Sequence, residues 1–351
     1  MSGSGGVQAP REDAAARLRL TPLSEGMATW RSLLAGCPEV TLYHRERWIE
    51  LLGRAHRLGM WLATLERDGR VAAGGVFARS PNPFVKRFVA LPFSDSAPPL
   101  ARSADDAREL AAALIEQGDG AAYEIRGLDC GEKWERVGCF VSWRLQLWRP
   151  LQALERGLGI NFRRNLRRAG AVRVEHGAGA DYLRRFYALQ LDSRRHFGVP
   201  PQPWRFFELV HGLFAPANLD IWLAKEAGKD VAAAVFVRDG DAIYFKWGAR
   251  RANCRSNANH RLLWSAVEEF APHARVLELG RSDVRNQGLM QFKRGLGATA
   301  TALPYSFFPM APRQVSPEVL GGAHRLLAMV WRRLPIFATR MLGRVAYRFL
   351  A

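Results

Sequence analysis

Several things are missing from this chain, and each absence narrows what it can be. Its four cysteines, Cys37, Cys130, Cys139 and Cys254, show no CxxC spacing and no accompanying histidine pattern. That argues against a structural zinc or a disulfide framework, and for a reduced cytosolic protein with no bound metal. Residues 1–16 are rich in Gly, Ser and Ala and contain no apolar h-region, so they read as a disordered N-terminus without a secretory signal. No run approaches the roughly 18 apolar residues of a spanning helix. Acids are scarce too: 33 stand against 51 lysines and arginines, a formal net charge of +18. Such an excess points to a polyanionic environment: nucleic acid, anionic lipid or a phosphorylated substrate.

What is present is an ordinary globular composition, 48% hydrophobic and 24% charged over 351 residues, which is enough for about two domains. The positive charge is local. Asn161 to Arg173 holds five arginines and no acid, and Ala311 to Ala351 holds seven arginines and one glutamate. A degenerate repeat divides the chain. Met60–Arg79 recurs as Ile221–Arg238, with Trp61-Leu62-Ala63 matching Trp222-Leu223-Ala224 and Val71-Ala72-Ala73 matching Val231-Ala232-Ala233. Each copy has two apolar runs around a turn, Asp68-Gly69 or Gly228-Lys229-Asp230, which predicts a β-hairpin. A spacing of about 160 residues is one domain length, so duplication of a whole domain is the economical account. Helices are predicted at Arg45–Arg57, Ala104–Gln117, Leu151–Ala169, Ala180–Phe197 with Asp181 as N-cap, Pro203–Phe214 and Asn259–Ala271. Strands are expected at Ala242–Trp247 and Val276–Leu279. The fold class is therefore α/β (α+β). Its expected domains are 17–150 and 151–310, followed by a basic amphipathic tail at 311–351.

The stretch Leu277–Ala298 is the most informative. An apolar run breaks at Gly280, and Arg281, Ser282, Asp283, Arg285, Lys293 and Arg294 then crowd around an Asn286-Gln287-Gly288 turn. Chemistry is often placed where a rigid strand meets a polar loop. Five motifs occur in order: Leu91-Pro-Phe-Ser-Asp95, Phe162-Arg-Arg-Asn-Leu-Arg-Arg168, Asn259-His-Arg-Leu-Leu-Trp264, Gly280-Arg-Ser-Asp283 and Phe292-Lys-Arg-Gly295. Together, from about Trp30 to Tyr305, they resemble the FemAB-like branch of the GNAT superfamily, especially its exopolysaccharide- and exosortase-associated members. The resemblance implies two tandem GNAT-like domains with mixed, mostly antiparallel sheets facing a common cleft. It further implies transfer of an acyl or aminoacyl group to an amine of a peptidoglycan or exopolysaccharide precursor. In peptidoglycan-bridge members the donor is aminoacyl-tRNA. Asp95 matches an acceptor-side aspartate of that family, and Lys293 matches a lysine that supports the reaction.

Those residue types suit the chemistry. An amine attacking an ester or thioester carbonyl creates a tetrahedral oxyanion, which a fixed cation such as Lys293 stabilises. Arg281 or Arg294 would hold donor or acceptor phosphate, and Asp283 or water would take the amine proton. The nucleophile belongs to the substrate, so no protein Ser or Cys is required. One departure from CoA-using relatives stands out. The Arg250–Asn259 stretch has no glycine where those enzymes carry a phosphate-cradling R/Q-x-x-G-x-G/A loop, and this favours a donor other than CoA.

Further candidates carry bland alternatives. Arg163, Arg164 and Arg167 would contact tRNA or phosphate, or simply form a solvated helix face. Trp247 and Tyr244 would line the cleft or belong to the core. Asn259 starts a helix that could meet the donor, and His260 beside it would cap or pack. Gly295 and Gly297 read as turn residues needing unusual φ. The tail, as helices His324–Leu334 and Ile336–Leu350 with Arg340, Arg344 and Arg348 in one stripe, has the pattern of an anionic membrane anchor. The expected protein is cytoplasmic, peripheral at the inner membrane face, with no tightly bound cofactor and with aminoacyl-tRNA or acyl-CoA as co-substrate. The rivals are an acyl-CoA- or acyl-carrier-protein-dependent N-acyltransferase acting on an exopolysaccharide sugar, and a non-catalytic membrane scaffold. RNA binding without catalysis ranks last, because few aromatics interleave with the arginines.

Overall fold

A computed structural model describes residues 16–80, 86–254 and 256–312. The expected basic tail and the expected disordered N-terminus therefore lie almost wholly outside the described residues. The chain begins with β1 (Arg17–Pro22), α1 (Leu23–Gly36), α2 (Glu46–His56) and the strands β2 (Gly59–Arg67) and β3 (Arg70–Arg79). It continues through β4 (Arg87–Ala90), β5 (Leu100–Ala101), α3 (Ala104–Gln117), β6 (Ala122–Arg126) and β7 (Glu135–Val137). The next stretch is β8 (Phe140–Gln146), α4 (Leu151–Arg156), α5 (Ile160–Arg168), β9 (Arg173–Gly177), α6 (Ala180–Phe197) and α7 (Trp204–Phe214). Then come β10 (Leu219–Glu226), β11 (Lys229–Asp239), β12 (Ala242–Arg250), α8 (Ala258–Phe270), β13 (Val276–Asp283), α9 (Gln287–Gly295), β14 (Thr299–Ala302) and β15 (Tyr305–Phe308).

The repeated hairpins are β2–β3 and β10–β11. Their turns are two-residue turns with positive φ at both positions, Asp68 and Gly69 in one and Ala227 and Gly228 in the other, the geometry whose twist matches a hairpin. The second turn thus closes before Lys229 and Asp230, which belong to β11. Three other expectations shift. The long helix expected over Leu151–Ala169 is broken into α4 and α5 at Gly157–Gly159. Gly179, not Asp181, is the N-cap of α6; Asp181 sits in the first turn, where a negative charge complements the helix dipole. Asn286 does not simply turn the chain: its side chain accepts from the Leu289 N–H and caps α9.

Both sheets follow one plan. The first runs β1-β2-β3-β4-β6-β15-β7, with β5 also on β3; the second runs β9-β10-β11-β12-β13-β8-β14. In each, four antiparallel strands meet a fifth in parallel over three residue pairs. These are Arg87–Val89 with Ala122–Glu124 in the first lobe and Ala242–Tyr244 with Val276–Glu278 in the second. The sixth strand is exchanged. β8 pairs with β13 of the second sheet, whereas β15 returns to pair with β6 of the first. The sheets therefore do not divide at 150 and 310, because strand pairing follows the open sheet edge rather than position in the chain.

Three large apolar clusters hold this frame, with a smaller fourth of Phe140, Leu303, Tyr305 and Phe307. α3 covers the first sheet, and α5 and α8 cover the second. The third lies between the lobes, where Trp30 and Trp48 from α1 and α2 pack in one core with Phe186, Phe207 and Trp247 of the second lobe. Trp48 is 1% exposed, and truncating such a side chain costs about 3–5 kcal/mol.

Candidate active site

The loop after β4 carries the first-lobe contribution. Leu91 and Phe93 both adopt positive φ, 38° and 64°, a conformation that costs a non-glycine residue about 1–3 kcal/mol and persists only where the surroundings enforce it. The enforcement is visible. The Trp48 indole donates to Ser94 Oγ at 2.8 Å, Arg126 donates to the Ser94 carbonyl at 3.0 Å, and the Tyr305 hydroxyl donates to the Asp95 carbonyl at 2.8 Å. The loop thus delivers the Asp95 carboxylate to the second lobe.

There it meets the two irregular strands. In β12 the register slips between Val235 and Phe236, opposite Trp247 and Phe245. Lys246 is the extra residue of that bulge, and bulges re-aim side chains beside functional sites. Its ammonium donates to the Tyr43 hydroxyl at 2.8 Å and to Asp95 Oδ2 at 3.3 Å, while Tyr43 donates to the same carboxylate oxygen at 2.5 Å. It also lies 4.4 Å from the centre of the Tyr43 ring and 4.8 Å from that of Trp48, a cation–π setting. In β13 the pairing to β8 slips between Glu278 and Arg281. Gly280, at φ 70°, sits so close that a Cβ there would lie 3.1 Å from Asp95 Oδ2.

Lys293, from the last turn of α9, secures this bulge by donating to the carbonyls of Gly280 and Arg281 at 3.1 and 3.0 Å. Arg281 lies over the Phe140 ring at 4.3 Å and donates to the Tyr305 hydroxyl at 2.6 Å. Burial by itself would raise the Asp95 pKa. Lys246, then Arg281, the Tyr43 hydroxyl and Lys293 outweigh it and hold the group well below the ordinary carboxylate range. Burial lowers Lys246 against the opposing pull of Asp95. The Lys246 side chain is 5% exposed and that of Asp95 is 24% exposed, so the carboxylate is the part solvent reaches. Lys246 is one of only six lysines, and its lone charge in the apolar strand Ala242–Trp247 was a signal available in the sequence. Tyr43 and Tyr305 had none.

The other expected residues separate into distinct places. Asp283 is fully buried, and its carboxylate is taken by Arg285 through the guanidinium at 2.7 and 3.0 Å and the backbone N–H at 2.8 Å. Arg294 is exposed on α9. Arg163 donates to the carbonyls of Arg156 and Leu158 at 3.2 and 3.1 Å, closing the end of α4, while Arg164 and Arg167 stand exposed on α5. Trp247 is a core residue stacked on Trp48, and Tyr244 is buried in the same core. Asn259 lies in the first turn of α8. His260 packs between Phe162 and Phe292 at 4.7 and 5.0 Å, and burial brings its pKa down to about 4. Gly297 has φ 93°, but Gly295 is helical; a Cβ there would meet the Cβ of Phe162 at 3.3 Å. Among the described residues, no group of three or more His, Cys, Asp or Glu is gathered as metal ligands would be.

Residues 161–294, which hold Lys246, Arg281 and Lys293, match the family profile of the acetyltransferase (GNAT) domain. That stretch is a GNAT acyltransferase domain. Among solved structures, this acyltransferase resembles FemX with a TM-score of 0.59 at 13% identity, over 83% of this chain and 96% of FemX. It resembles the tandem GNAT protein of the clavulanic acid biosynthesis pathway with a TM-score of 0.53 at 13% identity, over 84% and 100% of the two chains. L-PGS from Bacillus licheniformis gives 0.51 at 12% identity, over 88% and 97%. At these identities the likeness is one of fold, and the fold of the chain is the tandem, FemX-like one. No curated protein matches the chain.

Proposed function

We propose that this acyltransferase moves an acyl or aminoacyl group onto an amine of a cell-envelope precursor, with Asp95 receiving the amine. The observation that carries this reading is a first-lobe carboxylate held ionised by second-lobe cations directly over the bulge of β13. An ammonium group is drawn to such a carboxylate and oriented by it. Because the Asp95 pKa is depressed, the carboxylate selects and positions the amine while water removes the proton. Both Asp283 oxygens are engaged by Arg285, so Asp283 shapes the β13–α9 turn in this reading.

The donor carbonyl would lie against β12 and β13 where their parallel pairing stops after three pairs. Backbone groups freed there can bind an extended donor arm as an added strand would. Charge developing on the carbonyl oxygen is then met by Lys293, with Lys246 and Arg281 adding to the field. Aminoacyl-tRNA and acyl-CoA are the two donor classes, and exposed Arg294 is available to their phosphates. The acceptor is an amine of a peptidoglycan or exopolysaccharide precursor; kinship of fold with FemX supports the former. Membrane association through 311–351 rests on the sequence pattern of that segment. Among the described residues no helix is long and apolar enough to cross a membrane.

The test incubates purified protein and an amine acceptor with labelled aminoacyl-tRNA or labelled acyl-CoA in separate reactions. One donor should give transfer, and Lys293→Met, which keeps the stem and removes the charge, should lower kcat per folded molecule by about 100-fold or more, while the loss of its two carbonyl bonds costs about 1–3 kcal/mol of stability. Full turnover by that variant would end the proposal.

A further inference from the structure

Five large hydrophobic side chains stand exposed among the described residues, and three belong to one excursion of the chain: Trp148 at 66%, Leu151 at 38% and Ile160 at 85%. The excursion leaves β8, passes through α4 and turns at Gly157–Gly159 into α5. Its inward side is fully used, with Leu147, Leu154, Leu158 and Phe162 buried in the second-lobe core. Its outward side is apolar and basic together. From Trp148 to Arg168 there are six arginines and a single acid, Glu155. Arg149 lies 5.3 Å from the centre of the Trp148 ring, and Arg156, Arg164, Arg167 and Arg168 are exposed. α4 is short, about 9 Å from end to end, and Arg163 ties its last carbonyls to the first turn of α5. The apolar groups at its two ends therefore belong to one short, tied segment that also carries the exposed arginines.

We propose that this α4–α5 face docks on an anionic lipid bilayer. Trp148, Leu151 and Ile160 enter the boundary between headgroups and acyl chains, and the surrounding guanidiniums meet lipid phosphates. Other occupants fit less well. The chain's own 311–351 segment carries seven arginines against one glutamate, and a second copy would present the same positive face, so both are repelled. Nucleic acid would satisfy the arginines and could stack on Trp148, but it would leave Leu151 and Ile160 in water. The inference goes beyond the transfer reaction and depends on neither donor nor acceptor.

The full chain is used, with Trp331→Phe to remove the tryptophan beyond the described residues. Vesicles of phosphatidylglycerol with brominated acyl chains should quench its tryptophan fluorescence, and a further Trp148→Phe should abolish most of that quenching. Leu151→Asp with Ile160→Asp should weaken partition to the same vesicles by about tenfold or more, with an unchanged melting curve. Should that pair prove unstable, Ile160→Ser alone, at the most exposed site, should still give a measurable loss. Vesicle binding unaffected by these substitutions would overturn the proposal, as would quenching that persists without Trp148. So would loss of filter-retained tRNA in the substituted chain alongside undiminished vesicle binding.

Discussion

In the first lobe β4 and β6 pair in parallel over three residue pairs and then part; in the second, β12 and β13 do the same. What enters the two forks differs. The first fork is filled by its own main chain: Ala97 bridges to Arg126, and Gly127, at φ 93°, would place a Cβ 2.3 Å from Ser96 Oγ. The second receives the carboxylate of Asp95, lent by the other lobe. The matching rungs carry matching glutamates, Glu124 opposite Val89 and Glu278 opposite Tyr244. Glu124 is paired with Arg87 and Arg126, at 2.6 and 2.7 Å. Among the described residues Glu278 has only Arg144 at 2.7 Å, itself 53% exposed. Their pKa shifts accordingly oppose. Burial acts against Glu124, but its two arginines bring it below the ordinary value, whereas burial dominates at Glu278 and raises it. One fork is closed and structural, while the other is built to hold charge against a partly exposed carboxylate.

The sharpest break of this comparison is Asp95→Asn against Glu124→Gln. Asp95→Asn should lower transfer per folded molecule by about 100-fold or more, and it also costs stability because the buried Lys246 ammonium is left facing an uncharged group. Glu124→Gln should cost stability alone: it leaves two guanidiniums facing an uncharged group and costs about 3 kcal/mol, while the folded fraction keeps its turnover. Equal losses of turnover per folded molecule would mean that the forks do not divide labour. Next come the glycines. Gly127→Ala should cost about 2 kcal/mol through φ and the clash with Ser96, without changing turnover per folded molecule. Gly280→Ala should cost a similar amount and also displace the Asp95 carboxylate, so its kcat should fall; an active Gly280→Ala enzyme would separate Asp95 from the chemistry.

The smallest effect is in acid titration. Glu124, with a depressed folded pKa, contributes stability that is present above its unfolded pKa and lost as pH falls through the folded one. Glu278, with a raised folded pKa, contributes stability that is present below its unfolded pKa and lost as pH rises through the folded one. Glu278→Gln should remove the second component, flattening the stability–pH curve above the ordinary carboxylate range. Chemical denaturation across that range checks it.

The hairpins were legible because period-two patterns and tight turns are local. The last motif also led to α9, although crowded charge and glycine hid the helix itself. Sheet membership was not legible: no strand was expected at β8 or β15, and nothing local says which sheet edge is open to each. The candidate site divides the same way. Asp95, Arg281 and Lys293 stood out in motifs, and the structure brings them together. Tyr43, Tyr305 and Phe140 join them only because segments distant in sequence converge, and Lys246 because a bulge rotates it out of the strand's alternation. The arginine run of α5 looked like a phosphate contact, but folding turns Arg163 onto backbone carbonyls.

The crossing of β8 and β15 has a mechanical consequence. The polypeptide passes between the halves at both places, so no single hinge peptide joins them and neither half is a detachable module. A fragment stopping at residue 150 would present β6 without its β15 neighbour, an unprotected edge prone to sticking. Any movement of one half against the other must therefore bend both crossings together, the one between β7 and β8 and the one between β14 and β15.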